Sequence, residues 1–308
     1  MSDTTVTTKV IVNLLLIALG YFIKKVGLVS REEGRTLNRL VLYLTLPAMN
    51  LKVISCADLP WQLFVLPVVF LGAGVGISQL GKVPARALKL PRPDMGTFVV
   101  SLCGTMISLS YPFVEAGFGD EGIRAVAICD LGNAIAIFGV AYYLSFHYAD
   151  DGDFDIRQVL KKVVTFFPLH AFLAAVLLNV AKIELCGLPG EFIGALASIN
   201  SPLMLLSLGI YLELDISWRE SKILVTHLLY KYGMGLVVAL FCVTALPFEG
   251  PTRAVTFLLP LMPTSLSTLL YSVEQGLSSR LAAMFISLTM IVSLVITTVV
   301  ILGFRGAF

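Results

Sequence analysis

The sequence predicts an all-α membrane protein whose ten transmembrane helices form two inverted five-helix repeats. Three observations lead there. The chain carries more apolar surface than a water-soluble fold can hide, it contains ten apolar stretches of spanning length, and prolines interrupt four of those stretches at matching places in the two halves. Of the 308 residues, 57% are hydrophobic and 14% are charged, and the mean hydropathy is +0.89. A soluble domain is about 45–50% apolar and about 25% charged. The excess has to face lipid or pack inside a lipid-embedded bundle. The net charge of +2 is too small to suggest a nucleic-acid partner. The five cysteines (Cys56, Cys103, Cys129, Cys186 and Cys242) show no CxxC spacing and lie mostly in or beside apolar runs, as packing residues do.

A spanning helix needs about 20 mostly apolar residues. The stretches 8–25, 36–54, 61–81, 96–116, 122–147, 159–181, 190–213, 223–246, 253–274 and 279–303 meet that need. The first has lysines at both ends (Lys9, Lys24 and Lys25) and no small-residue cleavage site after it, so it reads as a spanning helix rather than a leader. Turn residues and charges separate the stretches, as at Lys82-Val83-Pro84, Gly117 to Gly122, Asp150 to Asp155, Gly187-Leu188-Pro189-Gly190 and Phe248-Glu249-Gly250-Pro251. Fifteen of the 22 basic residues fall in one set of loops, among them Lys24, Lys25, Arg86, Arg92, Arg157, Arg219 and Arg280. Six fall on the opposite side, and Lys231 lies within a span. The basic set marks the cytoplasmic side, which predicts a multi-pass protein of the cell membrane with both termini outside.

Predicted helices two and seven each carry an internal proline, in Leu44-Thr45-Leu46-Pro47-Ala48 and Ile199-Asn200-Ser201-Pro202-Leu203. Helices four and nine are interrupted as well, in Ile107-Ser108-Leu109-Ser110-Tyr111-Pro112 and Leu259-Pro260-Leu261-Met262-Pro263-Thr264-Ser265. Halves of five helices, residues 1–150 and 151–308, pair two with seven and four with nine. Because five is odd, the second half starts from the opposite side of the membrane and is inverted. A proline removes a helical hydrogen bond, and in lipid the freed groups need a cavity or a protein partner. Interruptions at matching places therefore point to a binding site near the membrane midplane, against the alternative of plain kinks.

These segments resemble the auxin efflux carrier family, which includes the plant PIN transporters and bacterial malonate-type permeases. The family's fourth helix typically reads G-N-x-G-F-L-G-L-P. Gly104-Thr105-Met106-Ile107-Ser108-Leu109-Ser110-Tyr111-Pro112 lies in that register. Gly104, Leu109 and Pro112 match, whereas the family's Asn is Thr105 and two of its glycines are Ile107 and Ser110. Asn38-Arg39-Leu40-Val41 with Leu46-Pro47, Gly119-Asp120-Glu121-Gly122, Asp130-Leu131-Gly132-Asn133, Pro202 to Gly209 and Met262-Pro263-Thr264 extend the likeness over nearly the whole chain. The resemblance implies a fold like that of bile-acid symporters, with helices four and nine crossing in the membrane. It implies secondary transport of a small organic anion, a carboxylate or auxin-like acid, bound beside the crossing. The expected movement is an elevator motion of a transport domain (helices three to five and eight to ten) against a scaffold (helices one, two, six and seven). A proton or sodium ion is the expected coupling ion, no cofactor is implied, and a homodimer is left open.

Several polar residues fit such a site. Asp130 lies about nine residues, or about 13 Å, from the nearer end of helix five. A carboxylate at that depth suggests ion coupling, with a structural acid bonded to the Pro112 break as the alternative. Asn133 shares its helix face, where its amide suits broken-helix backbone or a substrate carboxylate. Around the breaks at Pro112 and Pro263, half-helix ends offer free N–H groups, and Thr105, Ser108, Ser110, Thr264 and Ser265 offer hydroxyls. Lys231 and His227 share a face of helix eight, and Lys231 is expected to snorkel to the cytoplasmic boundary, or else to pair an anion inside.

Other classes fit less well. Asp150-Asp151-Gly152-Asp153-Phe154-Asp155 fails as a calcium loop, because a loop starting at Asp151 would have Ile156 where glycine is needed and Lys162 where glutamate is needed. An intramembrane prenyltransferase would need a second Asp cluster, which the chain lacks. No GxSxG, HExxH or Walker motif occurs, so no enzyme is expected. No Cys or Glu stands at ligand spacing from His147, His170 or His227, so no metal site is expected. A gated anion channel is the remaining alternative.

Overall fold

The computed structural model describes residues 3–303 apart from 56, 58, 150–156, 158–160, 162, 163, 166, 184, 186 and 213–219. The Asp150–Asp155 cluster lies outside the described residues. Among those described, helix is the only regular structure, and the lone β-bridge joins Thr105 to Thr264. The helices are α1 (Asp3–Lys25), α2 (Arg31–Leu40), α3 (Leu46–Ile54), α4 (Val65–Leu80), α5 (Lys82–Ala87), α6 (Arg92–Leu102), α7 (Ser110–Ile135) and α8 (Tyr142–Tyr148). They continue as α9 (Phe167–Val180), α10 (Gly187–Ser198), α11 (Asn200–Tyr211), α12 (Ser221–Ala245), α13 (Gly250–Leu258), α14 (Ser267–Glu274) and α15 (Ser279–Gly303).

Local chemistry explains the irregular joints. Ser30 and Glu33 cap α2 reciprocally, each side chain meeting the other's backbone N–H. A π turn over Val41–Thr45 links α2 to α3 without a break in the helix and accommodates Pro47, which has no N–H to give to the preceding turn. The interruption of predicted helix four lies upstream of the expected place. Residues 103–106 leave the helix, a 3₁₀ turn follows at Ile107–Leu109, and Pro112 sits in the opening turn of α7. Proline is tolerated in that opening turn, where the regular run of α-helical bonds is only starting. In predicted helix nine a 3₁₀ turn covers Leu259–Leu261, residues 262–266 are non-helical, and Pro263 lies within the break.

The chain reverses inside α7 at Gly119 (φ 60°, ψ −150°), a conformation that suits glycine. The two arms then run antiparallel. Arg92 donates to the His147 carbonyl, Thr105 meets Asn133, and a Cβ on Gly104 would strike Ile137. Predicted helices four and five are these two arms. The same arrangement recurs where Thr264 meets Thr289 and Leu261 meets Ser293.

Six helical stretches are long and apolar enough to cross a membrane: Val6–Lys25, Trp61–Ala87, Ile107–Tyr148, Gly187–Tyr211, Ser221–Ala245 and Ser279–Gly303. The 42 residues of Ile107–Tyr148 include the reversal. Predicted spans 96–116 and 253–274 are interrupted by their breaks. For span 159–181 the apolar helix described is the shorter Leu169–Val180. On α12, Val225, Leu229, Leu236, Val237, Leu240 and Phe241 are exposed, as are Ile11, Leu15, Leu19 and Phe22 on α1. Continuous apolar exposure of this kind suits lipid rather than water. The chain is an integral membrane protein.

Packing divides the helices by neighbour. α1 lies along α11, α2 packs on α11, and α9 and α10 pack on α3. α4 and α13 pack on α7, α12 on α13, and α15 on α6 and α14. Glycines set the closest approaches: Gly209 faces Gly20 and the Ile17 carbonyl, and Gly132 faces the Pro67 carbonyl. A Cβ at position 132 would lie 1.9 Å from that carbonyl oxygen, so α4 would have to move off α7. Gly132→Ala is expected to cost about 1–3 kcal/mol and to lower the melting temperature in detergent. A melting curve that matches wild type would mean that α4 and α7 are not this close.

Candidate functional site

The two helix breaks lie against each other. The Met106 N–H donates to the Pro263 carbonyl at 2.7 Å, and Thr105 pairs antiparallel with Thr264. Away from water, each freed backbone group needs a partner in the protein. Asn133 supplies two. Its Oδ1 accepts from the Thr105 N–H at 2.9 Å, and its Nδ2 donates to the Thr105 carbonyl at 3.0 Å. Nδ2 also donates to Asp130 Oδ1 at 3.1 Å. In the second break the Thr264 N–H donates to Thr289 Oγ1 at 3.0 Å, while Ser293 Oγ donates to the Leu261 carbonyl at 2.8 Å. Tyr232 of α12 donates to the Thr289 carbonyl at 2.7 Å and lies 2.8 Å from Ser293 Oγ. Both breaks are thus held by side chains from the antiparallel helix that follows.

The predicted site residues divide into two groups. Thr105, Asn133, Pro263 and Thr264 meet at the paired breaks, with the half-buried Asp130 beside them through Asn133. Thr264 Oγ1 is buried without a hydrogen-bond partner. Ser265 accepts from the Ser267 N–H at 3.3 Å, at the start of α14. The others serve local structure. Ser110 Oγ donates back to the Ile107 carbonyl at 2.7 Å, Ser108 is half-buried, and the Pro112 carbonyl accepts from Asn13 of α1 at 3.0 Å. The alternative that tied Asp130 to the Pro112 break is replaced: Asp130 bonds Asn133, and Asn13 takes the Pro112 carbonyl.

Lys231 does not snorkel. It is 4% exposed, and it lines a cavity of about 30 Å³ with Gly104, Thr105 and Asn133, closed on the far side by Phe70, Gly74 and Ile77 of α4. Its helix holds it there. One turn before it, His227 lies 2.8 Å from Ser101 Oγ and stacks on Phe285 at 3.8 Å. One turn after it, Gly235 packs on the Pro260 carbonyl. A charged side chain at such depth costs about 2.5–3.5 kcal/mol on insertion scales. Sequence reasoning placed Lys231 and His227 on one face but missed Gly235, the small residue that presses this face inward. It also missed Thr289 and Ser293, although two hydroxyl residues at i and i+4 in an apolar helix are a visible signal. The contacts of Ser201 with Glu115 and of Thr45 with Asn200 (2.8 Å), beside Pro202 and Pro47, were not foreseen either. Among the described residues, no three His, Cys, Asp or Glu side chains group as metal ligands do.

Residues 5–153 match a family model described as membrane transport protein. An uncharacterized transporter of Methanothermobacter thermautotrophicus is 27% identical over 299 residues, 94% of this chain and 95% of that protein. An uncharacterized transporter of Methanocaldococcus jannaschii is 25% identical over 303 residues, 93% of this chain and 95% of its own. A lipid-embedded helical chain with these relatives is a membrane transporter. Over residues 5–153 it is similar to the membrane transport protein family, in keeping with the resemblance its motifs carry.

Asn133 supports three groups at once, so its loss should be felt in folding. Asn133→Leu leaves the Thr105 N–H without a partner, at about 1–3 kcal/mol, and takes from the Thr105 carbonyl one of its two donors, the other being the Ile107 N–H. The variant is expected to melt well below wild type. Unchanged stability would show that the breaks do not rely on this amide.

Proposed function

We propose that this transporter moves a small organic anion, a carboxylate or auxin-like acid, by elevator-type alternating access, with the paired helix breaks as its substrate site. The observation that carries the reading is the backbone pairing of residues 103–106 with residues 262–266 in the interior of a lipid-embedded chain. Broken helices at corresponding places are the recurrent substrate site of secondary transporters. The chains that restart after the breaks, leading into α7 and α14, turn their N-terminal N–H groups toward this region, which suits an anionic group. Thr105, Asn133, Thr264 and Ser265 are the proposed contacts.

The reading includes ten spans in two inverted repeats. Support comes from correspondences between the halves. Thr105 leans on Asn133 as Thr264 leans on Thr289, and Gly74 packs on the Cys103 carbonyl as Gly235 packs on the Pro260 carbonyl. The proline-bearing joints at Pro47 and Pro202 are linked through Thr45 and Asn200. We assign α1–α3 and α9–α11 to a scaffold, and α4–α8 and α12–α15 to the moving part. The packing neighbours support this division, and the seam carries the Asn13–Pro112 and Ser201–Glu115 bonds. The basic asymmetry puts both termini outside the cell. Single cysteines at positions 86 and 249 are then expected to react from the cytoplasmic and external sides, respectively. External reaction at position 86 would sink the orientation.

Two measurements test the transport reading. Acetate, malonate, benzoate and indole-3-acetate, each with its neutral amide, are screened for thermal stabilisation of the purified protein and for uptake into liposomes. At least one acid is expected to stabilise the protein and to accumulate with saturation and counterflow, while its amide does not. Failure of the whole panel would end the carboxylate reading, and large single-channel currents would replace the carrier with a pore. Asp130 is the proposed coupling residue for a proton or sodium ion. Asp130→Asn is expected to retain binding and exchange of the acid and to lose gradient-driven net uptake. Intact gradient-driven uptake would remove Asp130 from that role.

A further inference from the structure

We infer that Lys231 is the counter-charge of the substrate site, its ammonium pairing with the carboxylate of the transported anion beside the paired breaks. This inference rests on the carboxylate reading above and takes up the second of the two alternatives the sequence left for Lys231.

Lys231 is about 15 Å along α12 from its start at Ser221, at 1.5 Å per residue. It lies on the face that α12 presses against the broken helices. His227 and Gly235, one turn to either side, point the same way, and neither leaves free space. The His227 ring is clamped between Phe285, stacked at 3.8 Å, and Phe98, edge-on at 5.3 Å, with Ser101 on its Nε2. Gly235 lies on backbone. Lys231 alone of the three faces a cavity, whose wall includes Gly104, Thr105 and Asn133.

The second observation is that its amine is unanswered. Among the described residues, Lys231 has no hydrogen-bond partner and no carboxylate within salt-bridge distance. The nearest acid of the site, Asp130, is engaged by Asn133. Buried ammonium groups in protein interiors are paired or hydrogen-bonded, because leaving the charge alone is costly. Here the groups within reach are the amide of Asn133 and the backbone of the break. An anion entering beside Thr105 would satisfy the ammonium, with the Thr105 hydroxyl and the Asn133 amide in the same cavity wall. The cavity of about 30 Å³ is the size of a water molecule, so an acid of several carbons enters only as α4 or α12 shifts from the breaks. Pairing with Lys231 would link binding to that shift.

The test uses purified full-length protein and whichever acid of the panel binds wild type. Lys231→Met is expected to weaken that acid by at least about tenfold, as loss of a charge-assisted bond does. Lys231→Arg, which keeps the charge, is expected to retain most of the affinity. The empty Met variant is expected to melt at or above wild type, because it no longer buries an unanswered ammonium. Wild-type affinity in the Met variant overturns the inference and leaves the carboxylate reading standing. Failure of both Lys231→Met and Lys231→Gln to fold also overturns it, since the ammonium would then be a structural partner rather than one awaiting a ligand. If no acid of the panel binds wild type, the carboxylate reading falls and this inference falls with it.

Discussion

Hydrocarbon offers no water to a peptide group, and this one constraint shapes the interior of the molecule. Where α6 and α13 end, amides and carbonyls leave their helices at a depth where nothing outside the protein can meet them. The chain answers by laying one break along the other, Met106 against Pro263 and Thr105 against Thr264. Side chains from the helices alongside complete the set: Asn133 on one side, Thr289 and Ser293 on the other. The glycine contacts follow from the same need. Gly74 and Gly235 let α4 and α12 come close enough to the Cys103 and Pro260 carbonyls to seal the breaks from lipid.

Because the breaks are closed in this way, polar chemistry gathers there at low cost. The Asn133 amide is bonded on both its oxygen and its nitrogen, which fixes its orientation and holds Asp130 at a defined distance. A site built from groups that are already ordered spends little entropy on ordering them again when a ligand arrives. Among the described residues, Thr264 Oγ1, His227 Nδ1 and the Lys231 amine have no hydrogen-bond partner beside these bonded groups.

Much of this was legible in the sequence. Hydropathy and the lysine and arginine pattern report directly on the solvent each segment meets, so the membrane class and the long helices could be read. The prolines marked which helices are irregular. They did not mark where, because proline is as comfortable in the first turn of a new helix as it is disruptive inside an old one. Pro112 therefore lies seven residues past Thr105, while Pro263 is inside its break. Asn133 and Asp130 were read correctly as neighbours, since a spacing of three residues fixes a shared face. Of the two readings of Lys231, the favoured one failed because snorkelling depends on what packs around a helix, and no single-helix pattern reports that Gly235 turns this face inward.

The pairing of the breaks also constrains how the protein is made. The Met106 amide finds its carbonyl on Pro263, 157 residues later in the chain. At about 5–20 residues per second, synthesis needs about 8–30 seconds to supply it. During that interval the first half carries an interrupted helix whose amides have no final partners, in an environment where such groups are least tolerated. The nascent protein must keep this segment near water, or shielded by the insertion machinery, until the second half arrives. Each half of the chain thus supplies backbone partners that the other half's break needs.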